Sequence, residues 1–179
     1  LERHAEGGTG LCSGWLCTQL QPGAPVALRV RAHPNFRIGA NARRPLLLVG
    51  NGTGLAGLRA HLKASVDRGV GGHWLVFGER HAARDALCDA ELRAWREAGV
   101  LARLDRVWSR DGGAMRYVQD VLRTQADAVR EWIAHDGAIY VCGSLEGMGA
   151  GVDATLRQLL GGEAVDALVT EGRYRRDVY

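Results

Sequence analysis

Leu46-Leu47-Leu48-Val49-Gly50-Asn51-Gly52-Thr53-Gly54-Leu55-Ala56-Gly57 passes from an uninterrupted apolar run straight into glycines, and then into a helical period. A short continuous apolar run fits a strand buried on both faces of a parallel sheet. Glycines after it let the backbone approach a phosphate, and the helix that follows offers free N–H groups and a partial positive charge. The spacing is not the dinucleotide GxGxxG fingerprint, because Leu55 stands at the sixth position. Nor is it a Walker A loop, because no Gly-Lys-Ser/Thr follows. The plain alternative is a tight strand–helix turn without a ligand.

Outward from this stretch the same alternation repeats. Leu55 to Arg68 reads as a helix and His73 to Phe77 as a second strand stopped by Gly78. Ala83 to Ala98 reads as one amphipathic helix with Leu87, Leu92 and Trp95 on its apolar face. Val100 to Trp108 is a third strand, Val118 to Ala134 a long helix, and Ala138 to Cys142 a fourth strand closed by Gly143. Met148 to Leu160 and Glu163 to Thr170 are helical, and Arg173 to Tyr179 forms a last short strand. Strands alternating with helices at this spacing imply βαβ units. The expected fold is α/β: a doubly wound five-stranded parallel sheet with ligands at the carboxyl ends of its strands. The first forty residues differ. Val26 to Arg31 alternates apolar and polar, as a half-exposed strand does, and Pro22, Pro25 and Pro34 punctuate the segment.

Composition narrows the class. The chain has 179 residues, 46% of them apolar and 24% charged, with a formal net charge of +3. Those values describe a globular domain and exclude a basic nucleic-acid arm or a polybasic membrane patch. Four cysteines form no CxxC pair and six histidines form no Cys/His cluster, so no metal site is expected. No apolar run approaches the ~20 residues needed to span a bilayer. The first residues, Leu1-Glu2-Arg3-His4, show neither an initiator Met nor a signal peptide, as expected of a cytoplasmic fragment of something longer.

Four further stretches carry polar chemistry at strand ends. Phe77-Gly78-Glu79-Arg80-His81 alone is a turn. Ser109-Arg110-Asp111, with Arg116-Tyr117-Val118-Gln119 shortly after, offers two arginines, a hydroxyl and a ring that could hold a phosphomonoester beside a stacked base; a solvated loop is the plainer reading. Cys142-Gly143, with Met148 beyond, is either a small core residue or a thiol at the ligand-binding edge. Arg173-Tyr174-Arg175-Arg176-Asp177-Val178-Tyr179 is on composition merely a charged tail.

In this order Gly50 to Ala56, Phe77 to His81, Ser109 to Asp111, Tyr117 to Asp120, Tyr140 to Gly143 with Met148, and Arg173 to Tyr179 resemble the ferredoxin–NADP reductase superfamily, in its sulfite reductase flavoprotein and cytochrome P450 reductase branch. Gly10-Leu11-Cys12-Ser13 is similar to that family's segment starting a helix against the FAD pyrophosphate. The resemblance implies two parts: residues 1–44, the C-terminal remnant of an FAD-binding β-barrel domain with its connector, and 45–179, an NADP-binding domain. It implies an NADPH-dependent flavin oxidoreductase, of which this chain is the NADP(H)-binding half, passing hydride to FAD for onward electron transfer. NADP and FAD are the implied cofactors, the FAD site being incomplete in this chain. A downstream electron-acceptor domain or subunit is the implied partner, and no nucleic acid is.

The implied roles follow residue by residue. Gly52, Thr53, Gly54, Leu55 and Ala56 cradle the pyrophosphate. Ser109, Arg110, Arg116, Tyr117 and Gln119 form the adenosine 2′-phosphate pocket, and Arg80, Gly143 and Met148 also bind the nucleotide. Cys142 and Asp177 flank the nicotinamide, and Tyr179 stacks on the flavin and must move for the nicotinamide to enter. Gly10, Cys12 and Ser13 touch FAD. Two departures from the family pattern are Gly57, where it has proline, and Met115, where it often has lysine. Two other readings are the same module in a reductase tethered to the inner face of a membrane, with a haem or ferric-iron acceptor, and a catalytically silent nucleotide-binding module.

Overall fold

The computed structural model describes residues 10–179, which fall into two compact units, Leu1–Ala32 and His33–Tyr179. In the first unit, α1 (Leu11–Gly14) is a single turn continued by a wide turn over Trp15–Gln19. Beyond it the backbone forms no strand. The alternation at Val26 to Arg31 therefore does not signal one here: Leu28 and Val30 are exposed, and no described residue pairs with them. A period of two records two faces, but only a partner strand makes them a sheet.

The second unit is the expected doubly wound domain. Its strands are β1 (Leu46–Asn51), β2 (His73–Glu79), β3 (Leu101–Trp108), β4 (Ala138–Gly143) and β5 (Tyr174–Val178). All neighbouring pairs are parallel, in the order β3-β2-β1-β4-β5. Strand order reverses between β1 and β4, and ligands bind beyond the carboxyl ends of strands at such a switch point.

Side chains of the inner strands point alternately into two apolar layers. Leu47, Val49, Trp74, Val76, Ile139 and Val141 belong to one. Leu46, Leu48, Leu75, Phe77, Tyr140 and Cys142 belong to the other. The second layer is covered by α2 (Leu55–Asp67) through Leu58 and Leu62, and by α4 (Asp89–Glu97) through Leu92. The first is covered by α5 (Val118–Thr124), α6 (Ala126–Ala134), α7 (Ala150–Leu160) and α8 (Gly162–Thr170), through Val121, Val129, Leu156 and Leu168 among others.

Two helices expected as continuous are broken. Ala83 to Ala98 divides into α3 (Ala82–Asp85) and α4, because Cys88 takes a left-handed conformation, φ 52°, at the entry to α4. Leu87 is consequently exposed. Val118 to Ala134 breaks at Gln125, where φ −106° and ψ 32° leave the helical region. The helix expected from Met148 starts two residues later, at Ala150; Met148 itself sits in the turn Leu145–Gly149, where Gly147 takes φ 75°.

Residues between the two units' boundary and β1 pack with the sheet. Phe36 joins the α2 layer, and its ring meets those of His61 and Tyr140 at centroid distances of 5.0 and 5.5 Å. The Asn41 amide donates to the Tyr140 hydroxyl (2.9 Å) and to the Gly172 carbonyl (2.8 Å).

His61 and His73 are buried, and each has an Nε2 without a partner among the described residues. Burial pushes both down to about 4, helped at His61 by the nearby Arg175 charge. An unfolded histidine takes its proton near 6.5, so the unfolded chain binds more protons between about 4 and 6.5. Stability is therefore unaffected by these groups above pH 6.5 and declines as pH falls below it. At pH 5 the loss is about 2 kcal/mol for each histidine. Urea midpoints at pH 7 and pH 5 should show a His61→Leu variant losing about half as much stability as the unmutated protein. Equal losses would remove His61 from the account.

Candidate functional site

Beyond the carboxyl ends of β1, β2, β3 and β4 lies a cleft of about 610 Å³. It takes Asn51 from the end of β1 and Gly52 just after it, and Gly78 and Glu79 from the end of β2 with Arg80 just after them. Ser109, after β3, and Asp85 of α3 extend the wall. The entry to α5 supplies Arg116, Tyr117, Val118 and Gln119, and the turn after β4 supplies Ser144, Glu146, Gly147 and Met148.

The floor depends on contacts too close for side chains. Gly52–Gly54 forms a single 3₁₀ turn between β1 and α2. A Cβ on Gly54 would collide with the Cys142 carbonyl and the Gly143 amide, both backbone. Glycine is required here by close approach, since Gly54 itself has φ −57°. The Asn51 side chain completes the joint, its Oδ1 accepting the Ser144 N–H at 3.0 Å. Leu55 and Ala56 then open the 13-residue α2, where the cap N–H groups donate back to the Gly52 and Thr53 carbonyls, and the helix end keeps its partial positive charge.

At the far wall, the Arg116 guanidinium donates to the Ser109 carbonyl through Nε (3.1 Å) and Nη2 (2.8 Å). The Asp120 carboxylate accepts the N–H groups of Arg116 (3.1 Å) and Tyr117 (3.0 Å), which ties down the chain entering α5. Tyr117 is half exposed, with the Arg116 guanidinium 5.8 Å from its ring centroid. Arg110 does not line the cleft; its N–H donates to the Arg80 carbonyl at 3.0 Å. Asp111 accepts from the Ala82 N–H (2.7 Å) and pairs with His81 (2.8 Å), and these hydrogen bonds hold its carboxyl below the usual range.

The last residues sit beside the glycine turn. Cys142 and Asp177 are register partners on β4 and β5. The Cys142 side chain is buried against Phe36 and the Gly57 position, outside the cleft lining. Burial, with a smaller contribution from Asp177, pushes its thiol up to about 11, so it stays a neutral thiol at physiological pH. The Tyr179 hydroxyl shares a hydrogen bond with Thr53 Oγ1, and its main chain is pinned on both sides, the N–H to Gly143 O (3.1 Å) and the C=O to Leu145 N (2.9 Å). The terminal aromatic is thereby ordered rather than frayed.

Gly10, Cys12 and Ser13 lie in the first unit, at the single turn α1. Ser13 Oγ is buried without a partner, whereas Cys12 is exposed. Among the described residues no cluster of metal-ligating side chains occurs, and no helix is long and apolar enough to cross a membrane. All four cysteines are free. Thiol titration of the native protein should therefore find Cys12, Cys17 and Cys88 readily and Cys142 only on unfolding, with four thiols in total under denaturing, non-reducing conditions. A fourth thiol reacting as fast as the others in the native state would contradict the burial of Cys142.

Of the residues singled out in the sequence, Gly52, Arg80, Ser109, Arg116, Tyr117, Gln119 and Met148 converge on the cleft. Thr53, Gly54, Leu55, Ala56, Gly143, Cys142, Asp177 and Tyr179 gather at the adjoining switch point between β1 and β4. Sequence reasoning missed Asn51, Ser144 and three carboxylates, Glu79, Asp85 and Glu146. Asn51 had a signal, since it lies inside the quoted glycine turn. Glu79 likewise lies inside the quoted Phe77 to His81 stretch, whereas Asp85 and Glu146 had no signal, because acidic residues argue against an anion site.

The model of the oxidoreductase NAD-binding domain matches residues 48–154. The chain is 35% identical over 189 aligned positions to the sulfite reductase (NADPH) flavoprotein alpha-component of Neisseria meningitidis serogroup B, covering 99% of this chain and 31% of that protein. The proteins of the same name from Photorhabdus laumondii and Serratia proteamaculans are each 37% identical, over 96% and 95% of this chain and 30% of theirs. The chain thus spans about a third of the length of these relatives. By the match over 48–154, which takes in β2, β3, β4, most of β1 and every residue lining the cleft, the chain belongs to the oxidoreductase NAD-binding domain family.

Proposed function

We propose that this chain is the NADP(H)-binding half of a flavin-dependent oxidoreductase akin to its sulfite reductase flavoprotein relatives. The observation that carries this reading is the cleft at the carboxyl ends of four parallel strands, with the N-terminus of α2 behind a glycine turn. Bound NADPH would supply a hydride and bound FAD would accept it for onward electron transfer. The residues of this chain bind and orient. The backbone of Gly52, Thr53, Gly54, Leu55 and Ala56 cradles a pyrophosphate at the positive end of α2. Ser109, Arg116, Tyr117 and Gln119 hold the adenosine end, with Arg80, Gly143 and Met148 alongside and Arg110 acting only from outside the lining. Cys142 and Asp177 shape the edge where the nicotinamide enters, with Cys142 acting as a packed neutral thiol and not as a nucleophile. Tyr179 occupies Thr53, so the incoming nucleotide must displace that contact.

Residues 1–44 are, in the same proposal, the end of a flavin domain, with Gly10, Cys12 and the unpartnered Ser13 hydroxyl facing FAD. A downstream acceptor domain or subunit and a cytoplasmic location belong to it as well. Calorimetry of this chain with NADP⁺, 2′,5′-ADP and NAD⁺ tests the nucleotide half. Binding of the first two, tighter than of NAD⁺, is expected; absence of binding by all three would overturn it.

A further inference from the structure

The cleft is not lined as a cationic funnel. Its wall carries three carboxylates, Glu79, Asp85 and Glu146, against two guanidiniums, Arg80 and Arg116. Glu79 stands out among them. It ends β2 beside the glycine turn, and its Oε1 is sealed from solvent with no hydrogen-bond partner among the described residues. The Gly52 and Arg80 backbone N–H groups lie close enough to favour its charge. A fixed anion therefore already sits at the head of the turn that would receive a phosphate.

We propose that Glu79 sets the nucleotide affinity of this cleft by its charge, and that nucleotide binding is coupled to proton uptake from solvent by the Glu79 carboxylate. The proposal rests on the nucleotide-binding reading and adds a term to it: the carboxylate and the nucleotide phosphates are like charges sharing one desolvated wall. Like charges at such separation disfavour each other's ionised form. The surroundings already lean that way. Desolvation raises the Glu79 carboxyl above the ordinary range, and the Asp85 charge raises it further, while Arg80 and the two backbone N–H groups lower it. Asp85 is itself fixed, its Oδ2 accepting the His81 N–H at 2.9 Å. The other charged groups on the wall are Arg116, at the entry to α5, and Glu146, after β4; the His81–Asp111 pair lies nearby.

The direction of the pH effect follows. Phosphates raise the Glu79 carboxyl further in the complex than in the free protein. Affinity is then highest at low pH, where Glu79 is protonated in both states. It falls as pH rises from the free-state value to the complexed one, and levels off above both. A 2′-phosphate titrates near pH 6 and opposes this trend, and the other charged groups on the wall are common to both proteins compared below. Comparison with Glu79→Gln cancels those contributions, because the variant differs only at the invoked group. Glutamine keeps the size and can still accept a hydrogen bond.

The experiment is calorimetry of NADP⁺ binding to the full chain between pH 5.5 and 8.5, repeated in two buffers of different ionisation enthalpy. At pH 8, Glu79→Gln is expected to bind roughly fivefold to tenfold more tightly than the unmutated protein. The difference should shrink towards low pH, and proton uptake should appear only in the unmutated protein. An unchanged or weakened affinity in Glu79→Gln would overturn the proposal, weakening being the mark of a carboxylate that accepts a ribose hydroxyl. Equal proton uptake in the two proteins would also overturn it. Neither result touches the nucleotide reading, which fails only if the unmutated protein binds no nucleotide at any pH. Should the variant fold poorly, the buffer dependence of the unmutated protein across the whole range still decides, because absence of uptake at every pH from 5.5 to 8.5 refutes the mechanism.

Discussion

Replacing Gly54 by alanine should abolish measurable NADP⁺ binding and lower the melting temperature by roughly 5–10 °C. The added Cβ would overlap the Cys142 carbonyl and the Gly143 amide, and these are backbone atoms of β4 that no rotamer change can move aside. Relief requires the turn to lift off the end of β4. Overpacking of this kind costs about 1–3 kcal/mol, and the affected atoms are also those offered to a phosphate. Gly52→Ala is the informative comparison. No atom lies within 4 Å of the Cβ it would add, but φ is +54°, so backbone strain of about 1 kcal/mol is its main cost. Thermal melts and calorimetry on the pair separate collision from strain. If Gly54→Ala melted and bound like the unmutated chain, the turn would not rest on β4 as described.

That joint was half legible in the sequence. A glycine run after Leu46–Val49 announces close backbone approach, but not what is approached; the partner, Cys142, lies 88 positions after Gly54 and is known only once β4 is placed beside β1. The sheet itself was legible because β1, β2 and β4 are buried on both faces and therefore read as unbroken apolar runs. The helical breaks were not. Cys88 and Gln125 carry no turn signature, and their departures from helical φ/ψ, which separate α3 from α4 and α5 from α6, are visible only in the folded chain. Val26 to Arg31 misled for the opposite reason, since alternation is a property of the segment and pairing is not. Within the site, Arg110 and Arg116 looked equivalent because both flank the end of β3. Only the structure shows that the chain turns one of them into the cleft wall and leaves the other outside it.

This difference sets the expectation for nucleotide choice. Arg116 already spends Nε and Nη2 on the Ser109 carbonyl, which fixes the plane of its guanidinium and leaves Nη1 without a partner among the described residues. Asp120 holds the Arg116 and Tyr117 N–H groups, so the main chain beneath is fixed as well. A donor immobilised before the ligand arrives loses little entropy on binding. A charge-assisted hydrogen bond to a phosphate contributes about 1.5–3 kcal/mol. Arg116→Ala should therefore weaken NADP⁺ binding by roughly 10- to 150-fold and leave NAD⁺, which lacks the 2′-phosphate, within about twofold. Arg110→Ala, removing a guanidinium from outside the lining, should cost NADP⁺ no more than about threefold through longer-range attraction, and raised salt should erase that loss. Arg116→Lys should recover part of the affinity, since it keeps the charge but not the planar fork that grips Ser109. Calorimetry with both nucleotides at low and high salt checks all three. A large loss on Arg110→Ala with none on Arg116→Ala would put the 2′-phosphate outside the cleft wall, and equal affinities for NADP⁺ and NAD⁺ in the unmutated chain would remove the phosphate pocket altogether.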